Sequence, residues 1–154
     1  MNKGTISYKV LPGCDLLSDN LTKEQRTKNM KAIKSQSNLE NRVTKALWKR
    51  DIRLRKNSKM FGRPDISIKK YKIVIFIDSC FWHSCPLHGN MPKSNQEYWI
   101  KKLQRNKDRD QEVNGYYHER GWNILRIWEH EFKQDFNAAI DAIETFIIQY
   151  KKQK

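Results

Sequence analysis

The run from Tyr71 to Ile77, YKIVIFI, is the sequence feature that most constrains the fold. A short, nearly continuous apolar run rich in β-branched residues is typical of a strand that is buried on both faces. Ile66-Ser67-Ile68, just before this run, predicts a second and shorter strand. We therefore expect the run to form the central strand of a sheet, with other elements packed against both of its faces.

Capping-box patterns and helical spacing of apolar residues predict helices before and after these strands. Thr22 with Gln25 forms the first pattern, at the start of a short basic helix. Ser37 with Glu40 forms the second, ahead of a helix that we expect to end near Arg50. The remaining predicted elements are the helix Asn95–Arg120, the strand Trp122–Trp128 and the helix Phe136–Tyr150. This order predicts an α/β fold with a mixed central sheet flanked by helices.

Length and charge narrow the class of protein. The 154 residues suit one domain, which we place at residues 21–154 behind an N-terminal extension of residues 1–20. Lys and Arg total 31 against 17 Asp and Glu, a net charge of +14 that favours a polyanionic partner over a merely soluble basic protein. The sequence has no run of about 20 apolar residues and no signal-peptide pattern, so we expect no membrane partner and an intracellular location.

Residues 78–93 contain Cys, His, Pro and Gly without periodicity, so this loop needs support other than secondary structure. Cys80, Cys85, His88 and His130 together offer two thiolates and two imidazoles, a set suited to tetrahedral Zn²⁺. Spacing alone leaves two readings open, a zinc site or small buried cysteines beside solvated histidines. Four protein ligands would close the site, so zinc bound there would be structural.

Carboxylates flank the predicted strands. Asp65 follows Gly62-Arg63-Pro64, and Asp78 ends the central strand. Oxygen ligands in such positions suit Mg²⁺ beside a phosphodiester, although an Asx turn is the alternative explanation for Asp65. Cys80 stands where the nuclease pattern P-D…(D/E)-x-K has its lysine, so another group must generate the attacking hydroxide.

His83 is our candidate for that group, because an imidazole titrates near neutrality and can accept a proton from water. Asp110 lies with Asn106 on the inward face of the long predicted helix, where it could orient the imidazole ring. The alternatives are that His83 is a spare zinc ligand and that Asp110 is a buried acid paired with an arginine.

Large aromatic residues lie on or beside the loop: Phe81, Trp82 and Trp99. Core packing is the usual explanation for such side chains. In a chain of this charge, however, exposed aromatic residues can also wedge between base steps and kink a duplex. Met30 is a candidate for the same role from the opposite groove.

In this order, the segments resemble those of the very-short-patch-repair DNA endonucleases. The matching segments are Lys28–Ile33, Gly62–Asp65, Val74–Phe76, Cys80–His83, Tyr98–Trp99, Asn106–Asp110 and Gly121–His130. The resemblance extends from about Leu21 to Phe132. It implies a fold like that of type II restriction enzymes, and hydrolysis of one phosphodiester bond 5′ to the T of a T:G mismatch.

Such mismatches arise when 5-methylcytosine deaminates, so the resemblance also implies a functional link to a cytosine-5 DNA methyltransferase. We further expect a monomeric, nucleoid-associated protein of the bacterial cytoplasm. Recruitment of downstream repair proteins is a further partner question that the sequence leaves open. Two other functions stay open, a catalytically silent zinc-stabilised DNA-binding module and a restriction-like enzyme that cuts both strands.

The resemblance assigns roles to individual residues. Asp65 becomes the carboxylate ligand of two Mg²⁺ ions, and the backbone carbonyl of Ile77 helps to hold one of them. His83 and Asp110 activate water. Glu40 matches a glutamate near the metal-bound waters.

The same resemblance assigns Phe81, Trp82 and Trp99 to intercalation beside the mismatch, with Met30 entering from the other groove. The other DNA-binding residues that it implies are Lys28, Asn29, Lys102 and Asn106. This sequence departs from some relatives at Asp78, where they have His, and at His130, where they have Cys. Asp78 is therefore expected either to replace a residue near the phosphate or to add a metal ligand.

Overall fold

A computed structural model describes residues 22, 24–25, 27–28, 38–89 and 91–152 of the chain. The chain divides into two compact units, residues 1–33 and 34–154. In the first unit, the Thr22 amide donates a hydrogen bond to Gln25 Oε1 at 2.9 Å, and the Gln25 amide donates to Thr22 Oγ1 at 3.2 Å. This reciprocal pair confirms the first predicted capping box. The predicted extension and Ser37 of the second capping box lie outside the described residues.

The second unit contains one four-stranded sheet in the order β1-β2-β3-β4. The strands are β1 (Arg55–Lys56), β2 (Ile66–Ile68), β3 (Ile73–Asp78) and β4 (Asn123–Trp128). The first two pairings are antiparallel and the pairing of β3 with β4 is parallel, so the sheet is mixed, as predicted. Strand β3 has a hydrogen-bonded neighbour on each side, which confirms its predicted central position.

Helices cover both faces of the sheet. They are α1 (Asn38–Lys49), α2 (Gln96–Glu119), α3 (Glu129–Gln134) and α4 (Phe136–Lys151). Alternate residues of β3 point to opposite faces. Ile73 and Ile75 join a core that includes residues of α1 and α4, whereas Val74 and Phe76 join a smaller core with α2. The apolar run of β3 is therefore explained by burial against helices on both sides.

Three short elements were not predicted. The single-turn 3₁₀ helix Lys69–Tyr71 includes the first residue of the predicted Tyr71–Ile77 strand, so β3 begins only at Ile73. Strand β1 consists of two exposed charged residues, Arg55 and Lys56, and it exists only through pairing with β2. Helix α3 follows β4 without a connecting loop and spans six residues, too few to show an apolar period. No helix within the described ranges is long and apolar enough to cross a membrane.

The strand directions bring three chain segments to one edge of the sheet. Strands β3 and β4 are parallel, so Asp78 and Trp128 end at the same edge. Strand β2 runs the other way, so Asp65, the residue before it, lies at that edge too. The loop after β3 and the helix α3 after β4 both begin there.

Gly62 anchors the loop that leads into Asp65. Its φ is +70°, and a Cβ built on it would lie 2.7 Å from both γ-methyl carbons of Val113 in α2. We expect Gly62→Ala to lower the free energy of unfolding by about 1–3 kcal/mol, because it adds both backbone strain and overpacking. Chemical denaturation would measure the change.

Gly115→Ala is the matched control. Gly115 lies within α2, and a Cβ there would meet no heavy atom within 4 Å. Replacing a helical Gly should therefore raise stability by about 0.5–1 kcal/mol. Equal losses in the two variants would contradict the close approach of the Gly62 loop to α2.

Candidate active site and metal cluster

Asp65 lies in a cleft at this edge of the sheet. Its Oδ2 accepts a hydrogen bond from the backbone amide of Ile77 at 2.7 Å. The cleft has a volume of about 280 Å³, and its lining includes Asp65, Ile77, Asp78, His83, Asn106 and Asp110. The cationic residues Arg63, Arg109 and Arg126 line it as well. Predicted site residues that are far apart in the sequence thus share one cleft, which is bordered by positive charge.

Burial raises the pKa of Asp65 from 3.8 to about 7, and the negative charges of Glu40 and Asp78 act in the same direction. The hydrogen bond from Ile77 and the nearby His83 oppose this rise only in part. The influence of Glu40 shows that α1 brings this residue near Asp65. A buried carboxylate with a raised pKa among other acids is typical of a site that gains from a bound cation.

His83 and Asp110 form a hydrogen-bonded pair, with 2.6 Å between His83 Nδ1 and Asp110 Oδ2. Burial is the largest single influence on the pKa of each group and works against its charged form, but the hydrogen bond between them and the neighbouring charges together outweigh it. The pKa of His83 is therefore raised from its ordinary value, with Asp78 also contributing, and the pKa of Asp110 is lowered. Asp110 thus lies where an orienting carboxylate would lie, and it is also paired with an arginine, as the alternative expected. Its role in orienting the imidazole stays a prediction.

That arginine is Arg126 of β4. Its Nη2 lies 3.1 Å from Asp110 Oδ1, and its Nη1 lies 2.9 and 2.8 Å from the two carboxylate oxygens of Asp78. Its Nε donates to Asn114 Oδ1 at 3.0 Å. Asp78 is only 4% exposed. Its Oδ1 is also 3.8 Å from His83 Nε2.

Sequence reasoning missed Arg126 and Asn114. A charged residue in a short strand usually indicates a solvent-exposed face. The only signal for a different role of Arg126 was its pairing position in the sheet. Arg126 is the register partner of Phe76, a residue of the buried central strand, so its side chain must lie against α2. Reading that signal requires the strand register, which the sequence does not specify.

The four predicted metal ligands lie together. The ligand atoms of Cys80, Cys85, His88 and His130 are all within 4.8 Å of one another. His130 Nδ1 is 3.3 Å from Cys80 Sγ and 3.6 Å from Cys85 Sγ, and His88 Nδ1 is 3.9 Å from Cys85 Sγ. Metal–sulfur and metal–nitrogen bonds of about 2.3 and 2.0 Å in a tetrahedron place such atoms at similar separations. These residues can bind a metal ion, and His83 is not among them.

The aromatic residues form a cluster outside both cores. Ring centroids of Phe81 lie 4.9 Å from Trp82 and 5.3 Å from Trp99, and those of Trp82 and Trp99 are 6.0 Å apart. All three are half-buried. Lys102 Nζ lies 5.1 Å from the Trp82 ring centre and 5.7 Å from that of Trp99. Asn106 donates a hydrogen bond to the Trp82 carbonyl at 2.9 Å, so it supports the loop from α2.

The predicted residues of the first unit are only partly described. Lys28 is helical and exposed. Asn29 and Met30 lie outside the described residues, so their predicted DNA contacts stay predictions.

A cation site beside a group that can take a proton from water suits hydrolysis of a phosphodiester. The cleft holds the buried carboxylate of Asp65 and an imidazole at His83 that is hydrogen-bonded to Asp110, an arrangement compatible with that chemistry. Comparison with known proteins supports the same chemistry. Residues 18–87 match the family model described as DNA mismatch endonuclease Vsr.

Similarity to individual relatives extends beyond these residues. The type II nicking enzyme V.NmeDIP of Neisseria meningitidis serogroup C is 44% identical over 129 residues, which cover 81% of this chain and 87% of that enzyme. The DNA mismatch endonuclease Vsr of Escherichia coli (strain K12) is 33% identical over 117 residues, covering 73% and 74%. The chain belongs to the Vsr family of DNA mismatch endonucleases, and its class is that of a DNA nicking endonuclease. The type II nicking enzyme V.NaeI of Lentzea aerocolonigenes is 45% identical in the matching region, which spans 56% of that enzyme's length.

The raised pKa of Asp65 predicts how the stability of the folded protein depends on pH. Because the folded state binds this proton more tightly than the unfolded chain, the Asp65 contribution becomes unfavourable as the pH rises from 3.8 to about 7. In magnesium-free protein, Asp65→Asn should therefore be more stable than the unsubstituted chain at about pH 8, with a smaller difference at about pH 5. Thermal midpoints at both pH values test this, with the exposed Asp108→Asn as control. A stability gain that does not depend on pH would contradict the burial of a charged Asp65.

Proposed function

We propose that this protein nicks one strand of duplex DNA on the 5′ side of the T in a T:G mismatch, in a Mg²⁺-dependent reaction. Membership of a mismatch endonuclease family supports the substrate class. The observation that carries the mechanism is the hydrogen-bonded His83–Asp110 pair in the same cleft as Asp65. A cytosine-5 methyltransferase is then the functional companion, because deamination of its product creates T:G pairs.

Asp65 is the proposed carboxylate ligand of two Mg²⁺ ions, with the backbone carbonyl of Ile77 as a further ligand and Glu40 near the metal-bound waters. The raised pKa of Asp65 supports this assignment, since a cation would relieve the repulsion among the buried acids. Mg²⁺ held by these residues would supply Lewis-acid stabilisation of the charge that develops on the phosphate.

His83 is the proposed general base. Its Nδ1 faces Asp110, which leaves Nε2 to accept a proton from the attacking water. Asp110 then stabilises the imidazolium that forms, and it fixes the orientation of the ring. The depressed pKa of Asp110 supports this role, because the acid stays ionised throughout.

The Cys80, Cys85, His88 and His130 cluster is the proposed structural Zn²⁺ site. It would use all four tetrahedral positions, so it would leave none for substrate or water. Its proposed function is to hold the loop that carries His83, Phe81 and Trp82.

The aromatic cluster is the proposed wedge beside the mismatch. Phe81, Trp82 and Trp99 are half-buried against one another, so they form a stiff apolar block that could separate stacked base pairs. Lys102, placed over two of these rings, adds positive charge for the nearby phosphates. Met30 with Lys28 and Asn29 is proposed to approach from the other groove.

Nicking of matched and T:G-mismatched duplexes, with and without Mg²⁺, tests this function. We expect one cut in one strand of the mismatched duplex only, and only with Mg²⁺.

Asp65→Ala should abolish nicking while duplex affinity is retained, because the variant loses a metal ligand and reduces negative charge near DNA. Cutting of both strands of a matched duplex would support a restriction-like enzyme instead, and binding without any cleavage would support a silent DNA-binding module.

His83 and Asp110 should behave as one catalytic unit. We expect His83→Ala and Asp110→Asn each to slow single-turnover nicking by about 10²–10⁴, and the double variant to be no slower than the slower single variant. Zinc content, thermal midpoint and mismatch affinity should be unchanged in His83→Ala. Loss of zinc together with a normal nicking rate in the remaining folded protein would identify His83 as a structural ligand instead.

A further inference from the structure

Arg126 contacts acidic and amide groups with all three of its guanidinium nitrogens. Nη1 contacts both oxygens of Asp78, Nη2 contacts Asp110 and Nε contacts Asn114, each between 2.8 and 3.1 Å. The guanidinium carbon also lies 4.7 Å from the ring centre of Phe76. A planar fork held at every nitrogen and against an aromatic ring has little freedom to reorient.

Asp110 divides its two oxygens between two partners. Oδ2 faces His83 Nδ1 at 2.6 Å, and Oδ1 faces Arg126 Nη2 at 3.1 Å. The position of Arg126 therefore fixes the plane of the carboxylate that orients His83. Without Arg126, the Asp110 side chain could rotate and still retain one contact with the imidazole.

Asp78 forms an ion pair with the same arginine. Both of its oxygens lie within 2.9 Å of Arg126 Nη1, and the residue is almost completely buried. A divalent cation bound to Asp78 would have to share the carboxylate with a guanidinium of like charge. The geometry therefore favours Asp78 as an anchor for Arg126 over Asp78 as an added metal ligand.

We propose that Arg126 is a positioning residue that holds Asp110 against His83, and that Asp78 acts through Arg126 and does not bind the metal. This proposal rests on the assignment of His83 and Asp110 to catalysis. In this arrangement Asp78 holds Arg126 in place, and Arg126 holds Asp110. Asp110 in turn orients His83, the proposed base. It also gives Asp78 a role that its sequence position left open.

A double-variant comparison separates the two roles of Asp78. Arg126→Gln should slow single-turnover nicking at saturating duplex by about 10- to 100-fold, the size of loss expected when a catalytic group is misplaced. Affinity for the duplex should change less than about threefold, since the chemistry and not binding is affected. Adding Asp78→Asn to Arg126→Gln should cause only a small further loss of rate, from removing the Asp78 charge 3.8 Å from His83 Nε2. A metal ligand at Asp78 would instead produce a further large loss in this background and a higher Mg²⁺ requirement, and either result would overturn the proposal.

Arg126→Lys is the conservative variant. A lysine ammonium keeps the charge but cannot reach Asp78, Asp110 and Asn114 in a fixed fork, so nicking should recover only part of the way from the Arg126→Gln rate. Nicking at the unsubstituted rate would show that charge alone suffices, and it would overturn the positioning role. Because lysine retains the positive charge beside the buried acids, this variant also serves if Arg126→Gln does not fold.

Arg50→Gln is the matched control. Arg50 also contacts two carboxylates, Asp141 and Glu144, each at 2.5 Å, but it lies outside the cleft. Its replacement should leave the nicking rate unchanged. An equal loss of rate in Arg50→Gln would show a general structural effect and would overturn the specific role of Arg126.

Thermal midpoints of magnesium-free protein give a readout that does not depend on nicking. Arg126→Gln should lower the midpoint, because it leaves the buried Asp78 carboxylate without its arginine partner. Adding Asp78→Asn should restore part of that loss, and additive losses would contradict the pairing. If the unsubstituted protein cuts a different duplex from the one proposed, the T:G assignment fails, while the same variants measured on that duplex and by thermal midpoint still test Arg126.

Discussion

The cluster of Cys80, Cys85, His88 and His130 is the constraint on which the rest of the site depends. The first three residues belong to the loop after β3, and the fourth lies at the start of α3, directly after β4. Contact among their ligand atoms ties an irregular loop to the edge of the sheet. That loop carries His83 toward the carboxylate cleft and Phe81 and Trp82 toward α2, so one cross-link supports both the proposed chemistry and the proposed DNA contact.

A second constraint is the balance of charge in the cleft. Asp65 has a raised pKa because it is buried near other acids, whereas Asp110 has a lowered pKa beside His83 and Arg126. The pKa values of these two carboxylates are thus shifted in opposite directions, which suits different roles for Asp65 and Asp110. Arg126 offsets the charges of Asp78 and Asp110 and leaves Asp65 as the acid that gains most from a cation.

Local patterns predicted the parts of the fold that burial determines. The apolar run predicted the central strand β3, and the inward face of the long predicted helix pointed to the site because it carries the polar residues Asn106 and Asp110. Arg126 could not be predicted in the same way, since its importance depends on its register beside Phe76 and on three partners distant in sequence. Strand β1 was missed for a similar reason, because pairing with β2 and not its own sequence makes it a strand.

His88 and His130 belong to the metal cluster and His83 lines the cleft, and the proposed mechanism depends on this division. X-ray absorption at the zinc edge tests this division most directly in the unsubstituted protein and in His83→Ala. We predict two sulfur ligands near about 2.3 Å and two nitrogen ligands near about 2.0 Å in both proteins. Loss of a nitrogen ligand in His83→Ala, or a shell without two sulfurs in the unsubstituted protein, would contradict the account.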